Sequence, residues 1–235
     1  MNLTEVSGFL TRDGTVDANA VYSLPQDEYR LWHREWSGWA IDVGAQIGTV
    51  GITLARANPN LRVLCVEAVG PNSDLLERNI DRFRVGARVT SIRAFAAKPG
   101  TVKGLCHYGY RHRIEEGDSY VSAHRYVGGT WRHLAEPEFS VDTPAVSLDS
   151  LLAEYEIDDL RLLKIDCEGC EWAFLDTPAV SRVQTIIGEY HGGYTDTPDF
   201  QPNPRARITE LLGKTHEVTF FNDEPIIGLF EATRR

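Results

Sequence analysis

Asp42-Val43-Gly44-Ala45-Gln46-Ile47-Gly48 closes a short apolar run, Trp39-Ala40-Ile41-Asp42-Val43, and opens a segment from Gly48 to Ala57 with helical spacing. A strand that breaks at a glycine and runs into a helix makes a tight turn. Gly44 permits the reversal, and Gly48 lets backbone approach a ligand lying across the helix N-terminus. The dinucleotide fingerprint is G-x-G-x-x-G, whose second glycine gives a pyrophosphate its close approach. Here Gln46 takes the second glycine position and Thr49 the third, which leaves G-x-x-x-G and disfavours a nicotinamide or flavin dinucleotide. Glu67 ends the next apolar run, nineteen positions after Gly48, where a carboxylate can accept hydrogen bonds from both ribose hydroxyls. The expected ligand is a nucleoside without a pyrophosphate.

Working outward, Arg62 to Glu67 reads as a buried strand, Pro71 to Arg84 as a helix and Arg88 to Ala96 as a third strand. After a break, Ser147 to Glu156 reads as a helix, Arg161 to Asp166 as a strand, Gly169 to Leu175 as a helix, Val183 to Tyr190 as a strand and Arg205 to Gly213 as a helix. His216 to Phe221 and Pro225 to Thr233 read as two strands joined at Asn222-Asp223-Glu224, and Pro25 to Trp36 as a short amphipathic helix. Continuous apolar strands separated by helices imply a parallel sheet covered on both faces. The predicted fold class is α/β: a Rossmann-like, doubly wound, mainly parallel sheet of about seven strands with a C-terminal antiparallel hairpin. One domain spans residues 1–235, with an N-terminal arm over 1–38 and an insertion over 101–142.

Between Thr101 and Asp142 the periodicity fails, and the stretch holds five glycines with His107, His112, His124 and His133. It is an insertion or a set of irregular strands. Long connections in such folds lie over the carboxyl ends of the strands, so this one is expected to cover a substrate.

Three blocks carry a family likeness. The first is Ile41 to Gly48; the second is Val66-Glu67-Ala68 with Pro71-Asn72, Leu76 and Asn79-Ile80. The third is Val146-Ser147-Leu148-Asp149-Ser150-Leu151-Leu152 followed by Leu163-Lys164-Ile165-Asp166-Cys167-Glu168-Gly169-Cys170-Glu171. These resemble the FkbM family of class I S-adenosylmethionine-dependent methyltransferases, over roughly residues 40 to 100 and 145 to 232. The resemblance implies S-adenosylmethionine as cofactor, with S-adenosylhomocysteine as its product. It implies methyl transfer to a hydroxyl of a small sugar, polyketide or related natural product, and cofactor contacts at Asp42, Gly44, Gly48, Glu67, Asn72 and Asp166. The N-terminal arm and the insertion are unmatched and are expected to set the substrate. A nucleotide-dependent oxidoreductase and a catalytically silent cofactor-binding module are the alternative readings.

An alcohol nucleophile must lose its proton near the transition state, so a base or a metal is expected. The strand reading brings Asp166 and Glu168, then Glu189 and His191, to the same carboxyl edge as Gly44 and Glu67. Asp166, Glu189 and His191 are the catalytic candidates, with His191 near its ordinary pKa as base and a carboxylate to orient it. Ligation of magnesium or another divalent ion by these three is a secondary reading, because their spacing is not a tight metal-ligand pattern. No metal is assigned. Glu171 reads as a first-turn helix carboxylate and Asp149 as a cap or helix start.

The chain has 235 residues, 42% hydrophobic and 25% charged, which excludes disorder and coiled coil. A net charge of −10 with no basic stripe repels a phosphate backbone, so nucleic acid is not an expected partner. No apolar run reaches the roughly 18 residues needed to span a bilayer, and Met1 to Glu5 lacks a signal-peptide plan, so a cytoplasmic protein is expected. Cys65, Cys106, Cys167 and Cys170 are too few and uneven for a disulfide framework; reduced thiols are expected, with Cys167 and Cys170 serving as small buried residues. The sequence leaves open whether the chain forms a homo-oligomer.

Overall fold

A computed structural model describes residues 2–96, 100–112, 117–125, 139–167, 169–192, 201–223 and 227–235. Its centre is a seven-stranded sheet built from β3 (Gly38–Val43), β4 (Leu61–Glu67), β5 (Val89–Arg93), β10 (Leu160–Ile165), β11 (Val183–His191), β12 (His216–Asp223) and β13 (Ile227–Arg234), in the spatial order β12-β13-β11-β10-β3-β4-β5. The β10–β3, β3–β4, β4–β5 and β10–β11 pairs are parallel, while β13 lies antiparallel between β11 and β12. The α/β class, the mainly parallel sheet and the terminal antiparallel hairpin are as the sequence led us to expect.

Side chains on successive strand residues point to opposite faces, and both faces are buried. Ile41, Val43, Leu64, Val66, Leu163 and Ile165 face one core, against α4 (Leu148–Glu154), α5 (Glu171–Leu175) and α6 (Pro204–Leu212). Ala40, Val63, Cys65 and Leu162 face the other, against α2 (Thr49–Ala57) and α3 (Gly70–Phe83). The chain winds outward through β3, β4 and β5 and then returns to β10 beside β3. The strand order therefore reverses between β3 and β10, where open sheets of this kind part at their carboxyl ends to admit ligands.

Helix limits follow local chemistry. Ser147 caps α4 by accepting from the Ser150 backbone N–H, while Ser150 Oγ accepts in return from Ser147 N–H. Asp149, expected as a cap or start, lies inside the first turn and accepts a hydrogen bond from Thr177 Oγ1.

The N-terminal segment departs from expectation. No helix spans Pro25 to Trp36; a single 3-10 turn over Leu24–Gln26 is followed by irregular chain. Asp27 and Arg30 adopt left-handed backbone (φ 47° and 55°), and Asp27 Oδ1 accepts from the Leu31 and Trp32 N–H groups, so local side-chain bonding outcompetes the helix. Ahead of it lie a hairpin, β1 (Leu3–Val6) with β2 (Phe9–Arg12), and α1 (Asp17–Ser23), neither anticipated from the sequence. The hairpin packs on α3 through Phe9 against Phe83, and Leu10 exchanges backbone hydrogen bonds with the Asn79 amide.

The expected third strand, Arg88 to Ala96, is divided. Ala94 N–H makes the last bond to β4, at Glu67 O, and beyond it β6 (Phe95–Ala96) has no neighbour in the main sheet. It pairs instead with β9 (Phe139–Val146) in a four-stranded sheet of order β6-β9-β7-β8, with β7 at Gly100–His112 and β8 at Gly117–Arg125. The stretch read as an insertion thus contains long antiparallel strands rather than irregular ones. Among the described residues, no helix is long and apolar enough to cross a membrane.

Candidate functional site

The glycine turn lies at the sheet's carboxyl edge, where Gly44 N–H and Ala45 N–H both donate to Val66 O. Gly44 has φ +74°, and a Cβ there would overlap the Asp166 carbonyl oxygen, so the glycine lets β3 and the end of β10 close together. Gly48, the N-cap of α2 at φ +88°, serves packing: a Cβ would meet Leu76 and Ile52. The glycine thus permits close contact between α2 and α3.

Glu67 is buried behind the turn and holds it. Its Oε2 accepts from Gln46 N–H at 2.8 Å, and its Oε1 accepts from Val69 N–H at 2.9 Å and Asn72 Nδ2 at 3.3 Å. Burial pushes the Glu67 carboxyl up, against the lowering effect of these three hydrogen bonds. Asn72 Oδ1 in turn accepts from Arg12 Nη2, and Arg12 is clamped by Asp17 through Nε and Nη2. Glu67 and Asn72 are thereby tied to β2, a connection that the sequence reading did not contain.

Asp42 and Lys164 are cross-strand neighbours on β3 and β10, with Lys164 Nζ 3.3 Å from Asp42 Oδ1 and both side chains buried. Asp42 Oδ2 also accepts from Gly51 N–H in the first turn of α2. Burial alone would lower the Lys164 pKa, but Asp42 and then Asp166 more than reverse this and raise it.

A pocket of about 160 Å³ opens over this turn, walled by Asp42, Gly44, Gln46, Thr49, Lys164 and Asp166 on the sheet side. The N-terminal segment forms the opposite wall with Leu24, Glu28, Tyr29 and Trp32. Tyr29 is buried, donates to Asp166 Oδ2 at 2.8 Å, and lays its ring 5.3 Å from Lys164 Nζ. Burial, and then the Asp166 charge, push its phenol well above the ordinary value. Glu28 is also raised, first by burial and then by the charges of Asp166 and Glu189. Sequence reading missed Glu28, Tyr29, Lys164 and Arg12. Only Lys164 left a signal, as a lysine inside an otherwise apolar strand.

Asp166, Glu189 and His191 do converge. His191 Nε2 lies 3.9 Å from Asp166 Oδ1 and 3.5 Å from Glu189 Oε2. Its Nδ1 is 3.3 Å from Oε1 of Glu171, which also accepts from the His191 backbone N–H at 2.7 Å, while Oε2 accepts from Gly169 N–H. Glu171 stands in the first turn of α5, as expected, and from that fully buried position it also anchors His191.

Burial alone would lower the His191 pKa, but hydrogen bonds to Glu171 and Glu189, with the charges of Glu171 and Asp166, push it up to about 12. The imidazole thus holds a proton more tightly than the ordinary pKa that the sequence reading assigned. Asp166 moves the other way: burial would raise its carboxyl, and Lys164, His191 and the Tyr29 hydroxyl bring it below the usual value.

Cys167 and Cys170 are joined as a disulfide, where reduced thiols were expected. The C-x-x-C brackets a turn with Gly169 at φ +103°, which brings the two Cα atoms to 5.5 Å, within bridging range. Cys65 is a buried free thiol. Glu168 and His133 lie outside the described residues, and the side chains of His107, His112 and His124 are likewise not described.

A sheet that reverses between β3 and β10, a glycine turn beside that reversal and an acidic residue ending β4 define the nucleoside-cofactor class of open α/β proteins. Within it, the chain belongs to the FkbM methyltransferase family: the model described as "Methyltransferase FkbM domain" matches residues 42–217. These are Rossmann-like, S-adenosylmethionine-dependent methyltransferases. The AMB antimetabolite synthetase AmbE of Pseudomonas aeruginosa is 28% identical over 223 residues, covering 83% of this chain. The chain spans about 10% of the length of that relative. Among solved structures, a Clostridium thermocellum protein named "putative rRNA-methylase" aligns with TM-score 0.51 and 13% identity, over 90% of this chain and 95% of its own, a likeness of fold alone. An O-methyltransferase from Bacillus cereus, solved with S-adenosylhomocysteine, aligns with TM-score 0.48 and 15% identity, over 92% of this chain and 80% of its own.

The residues present fit such a cofactor. S-adenosylmethionine is cationic at its sulfonium and its ammonium, and the pocket presents Asp42, Asp166 and Glu28 against the single ammonium of Lys164. A pyrophosphate would meet the same carboxylates unfavourably.

Proposed function

We propose that the protein transfers a methyl group from S-adenosylmethionine to a hydroxyl of a small natural-product, sugar or polyketide-type acceptor. The observation that carries this reading is the gathering of Asp166, Glu189 and His191 at the carboxyl edge beside the glycine turn, since an attacking alcohol has a proton to give up. When bound, the cofactor would supply an electrophilic methyl group to the acceptor oxygen, with its sulfonium as the leaving group that takes the electron pair.

Asp42, Gly44, Glu67, Asn72 and Asp166 shape the cofactor site, with Glu67 acting through the Gln46 backbone that it holds. Asp166 takes the hydroxyl proton, and Lys164 keeps it ionised until then. His191, fixed by Glu171, orients Asp166 and Glu189. Tyr29 and Trp32 exclude water from the reacting atoms, which strengthens each electrostatic contact there. Most of the barrier reduction comes from holding oxygen, methyl carbon and sulfur in line, an effect that supplies up to about 7 to 11 kcal/mol. The strands β7, β8 and β9 cover the acceptor. The name of the Pseudomonas relative, an antimetabolite synthetase, supports a natural-product acceptor.

Two measurements test this. Incubation with methyl-labelled S-adenosylmethionine and a panel of sugars and polyketide-type alcohols is expected to yield a labelled methyl ether and one S-adenosylhomocysteine per methyl transferred. Label found on nitrogen or carbon would overturn the O-methyl reading. Calorimetric titration with S-adenosylhomocysteine is expected to give one site per chain, and Glu67→Ala to weaken it by about 1.5–3 kcal/mol through loss of charge-assisted hydrogen bonds that shape the turn. Equal affinity in both proteins would remove Glu67 from the cofactor site.

A further inference from the structure

We infer that Asp166, Glu189 and His191 bind one divalent cation through Asp166 Oδ1, Glu189 Oε2 and His191 Nε2. One ligand atom from each residue can be chosen so that all three lie within 4.8 Å of one another. Atoms bound to one ion at about 2.0 to 2.4 Å stand roughly 3 to 4.8 Å apart, from cis to trans. The separations of Nε2 from the two carboxylates, 3.5 and 3.9 Å, fall in that interval. They are also longer than the roughly 2.7 to 2.9 Å of a closed charge-assisted hydrogen bond. The three donor atoms are thus spaced to share one ion.

The imidazole is prepared for this role from behind. Its Nδ1 is held by Glu171, which is fully buried and also accepts from the His191 and Gly169 backbone N–H groups. A carboxylate on one ring nitrogen, with the other turned toward two further carboxylates, is the outer-shell arrangement that orients a metal-bound histidine and raises its basicity. The charge balance points the same way. Asp166, Glu171 and Glu189 stand around one imidazole, and the ammonium of Lys164 is shared between Asp42 and Asp166. A divalent cation offsets two of these negative charges, where a proton on His191 offsets one. Tyr29 occupies Asp166 Oδ2, so Oδ1 is the oxygen left facing His191.

The sequence spacing had left metal binding secondary, because the ligands come from the ends of two strands and no short motif joins them. Two carboxylates with one imidazole suit Mn²⁺ best, with Mg²⁺ and Zn²⁺ as competitors. In catalysis, a role that rests on the O-methyl reading above, the cation polarises the acceptor hydroxyl. That lowers the pKa of the hydroxyl, so that a weak carboxylate base suffices to take its proton.

The test uses chelator-treated full-length protein and titrates Mn²⁺, following the free-ion signal by electron paramagnetic resonance. One Mn²⁺ per chain is expected, weakened at least about tenfold in Glu189→Gln and in His191→Ala, and by about 10- to 100-fold in Glu171→Gln. Thermal melting of each variant separates lost ligation from lost folding, and Glu189→Gln, an isosteric change, keeps the test decisive if the histidine variant unfolds. Absence of bound Mn²⁺ at millimolar concentration, or binding that all three substitutions leave unchanged, overturns the proposal. S-adenosylhomocysteine titrated into the same samples separates the two readings. Cofactor binding without Mn²⁺ binding removes the cation site alone, and Mn²⁺ binding without cofactor binding removes the methyl-transfer reading alone.

Discussion

Lys164→Ala is expected to destabilise the fold by about 3–5 kcal/mol, the range for removing one partner of a buried ion pair and leaving the other charge uncompensated. Asp42 and Lys164 are buried on adjacent central strands, and the only other hydrogen bond to the Asp42 side chain among the described residues comes from Gly51 N–H. With the ammonium gone, Asp42 keeps that single donor at a buried position. Urea unfolding, with the midpoint shift multiplied by a common m-value, measures the loss. The double variant Lys164→Met with Asp42→Asn should recover most of it, because it removes both charges while keeping similar volume. A loss below about 1 kcal/mol in Lys164→Ala would show that the pair is solvated or replaceable and carries little of the central sheet's stability.

Asp166→Asn is expected to lower methyl transfer by about a hundredfold to ten-thousandfold, the usual contribution of a positioned general base. The change keeps the size of the side chain and its capacity to accept from Tyr29, so the pocket wall should persist. The loss should fall mainly on kcat, with S-adenosylhomocysteine affinity changed much less, because the proton is transferred only as the carbon–oxygen bond forms. Single-turnover transfer of labelled methyl to whichever acceptor the panel identifies would measure it. Turnover within tenfold of the parent would move the proton-accepting role to Glu189 or to Glu28. Glu28 stands on the opposite wall of the same pocket.

Regular elements were legible where period and punctuation agree. The run ending at Val43, the glycine turn and the helix to Ala57 were readable because a buried strand is a continuous apolar stretch and glycine marks its end. The Pro25 to Trp36 segment misled because its aromatic and charged residues alternate at helical spacing, while the Asp27 carboxylate draws the Leu31 and Trp32 N–H groups into a local turn. The division at Ala94 was hidden for a different reason. Phe95 and Ala96 are as strand-like as their neighbours, and only the end of β4 leaves them without a partner in the main sheet.

The sequence by itself determined the α/β class, the mainly parallel sheet with its antiparallel hairpin, the glycine turn with Glu67 ending the next strand, and the family. Each of these is written in local periodicity or in contiguous residues. Only the tertiary structure decided what the side chains do once assembled. Asp166, Glu189 and His191 come from the ends of two different strands, and the distances among them depend on how β10 and β11 pair. The charge of His191 depends on Glu171 lying behind it, twenty residues away in sequence, and on two further carboxylates in front. The pocket's second wall is made by Glu28, Tyr29 and Trp32, from a segment more than a hundred residues distant from Asp166. A pKa is a sum over neighbours in space, and no window of sequence contains those neighbours.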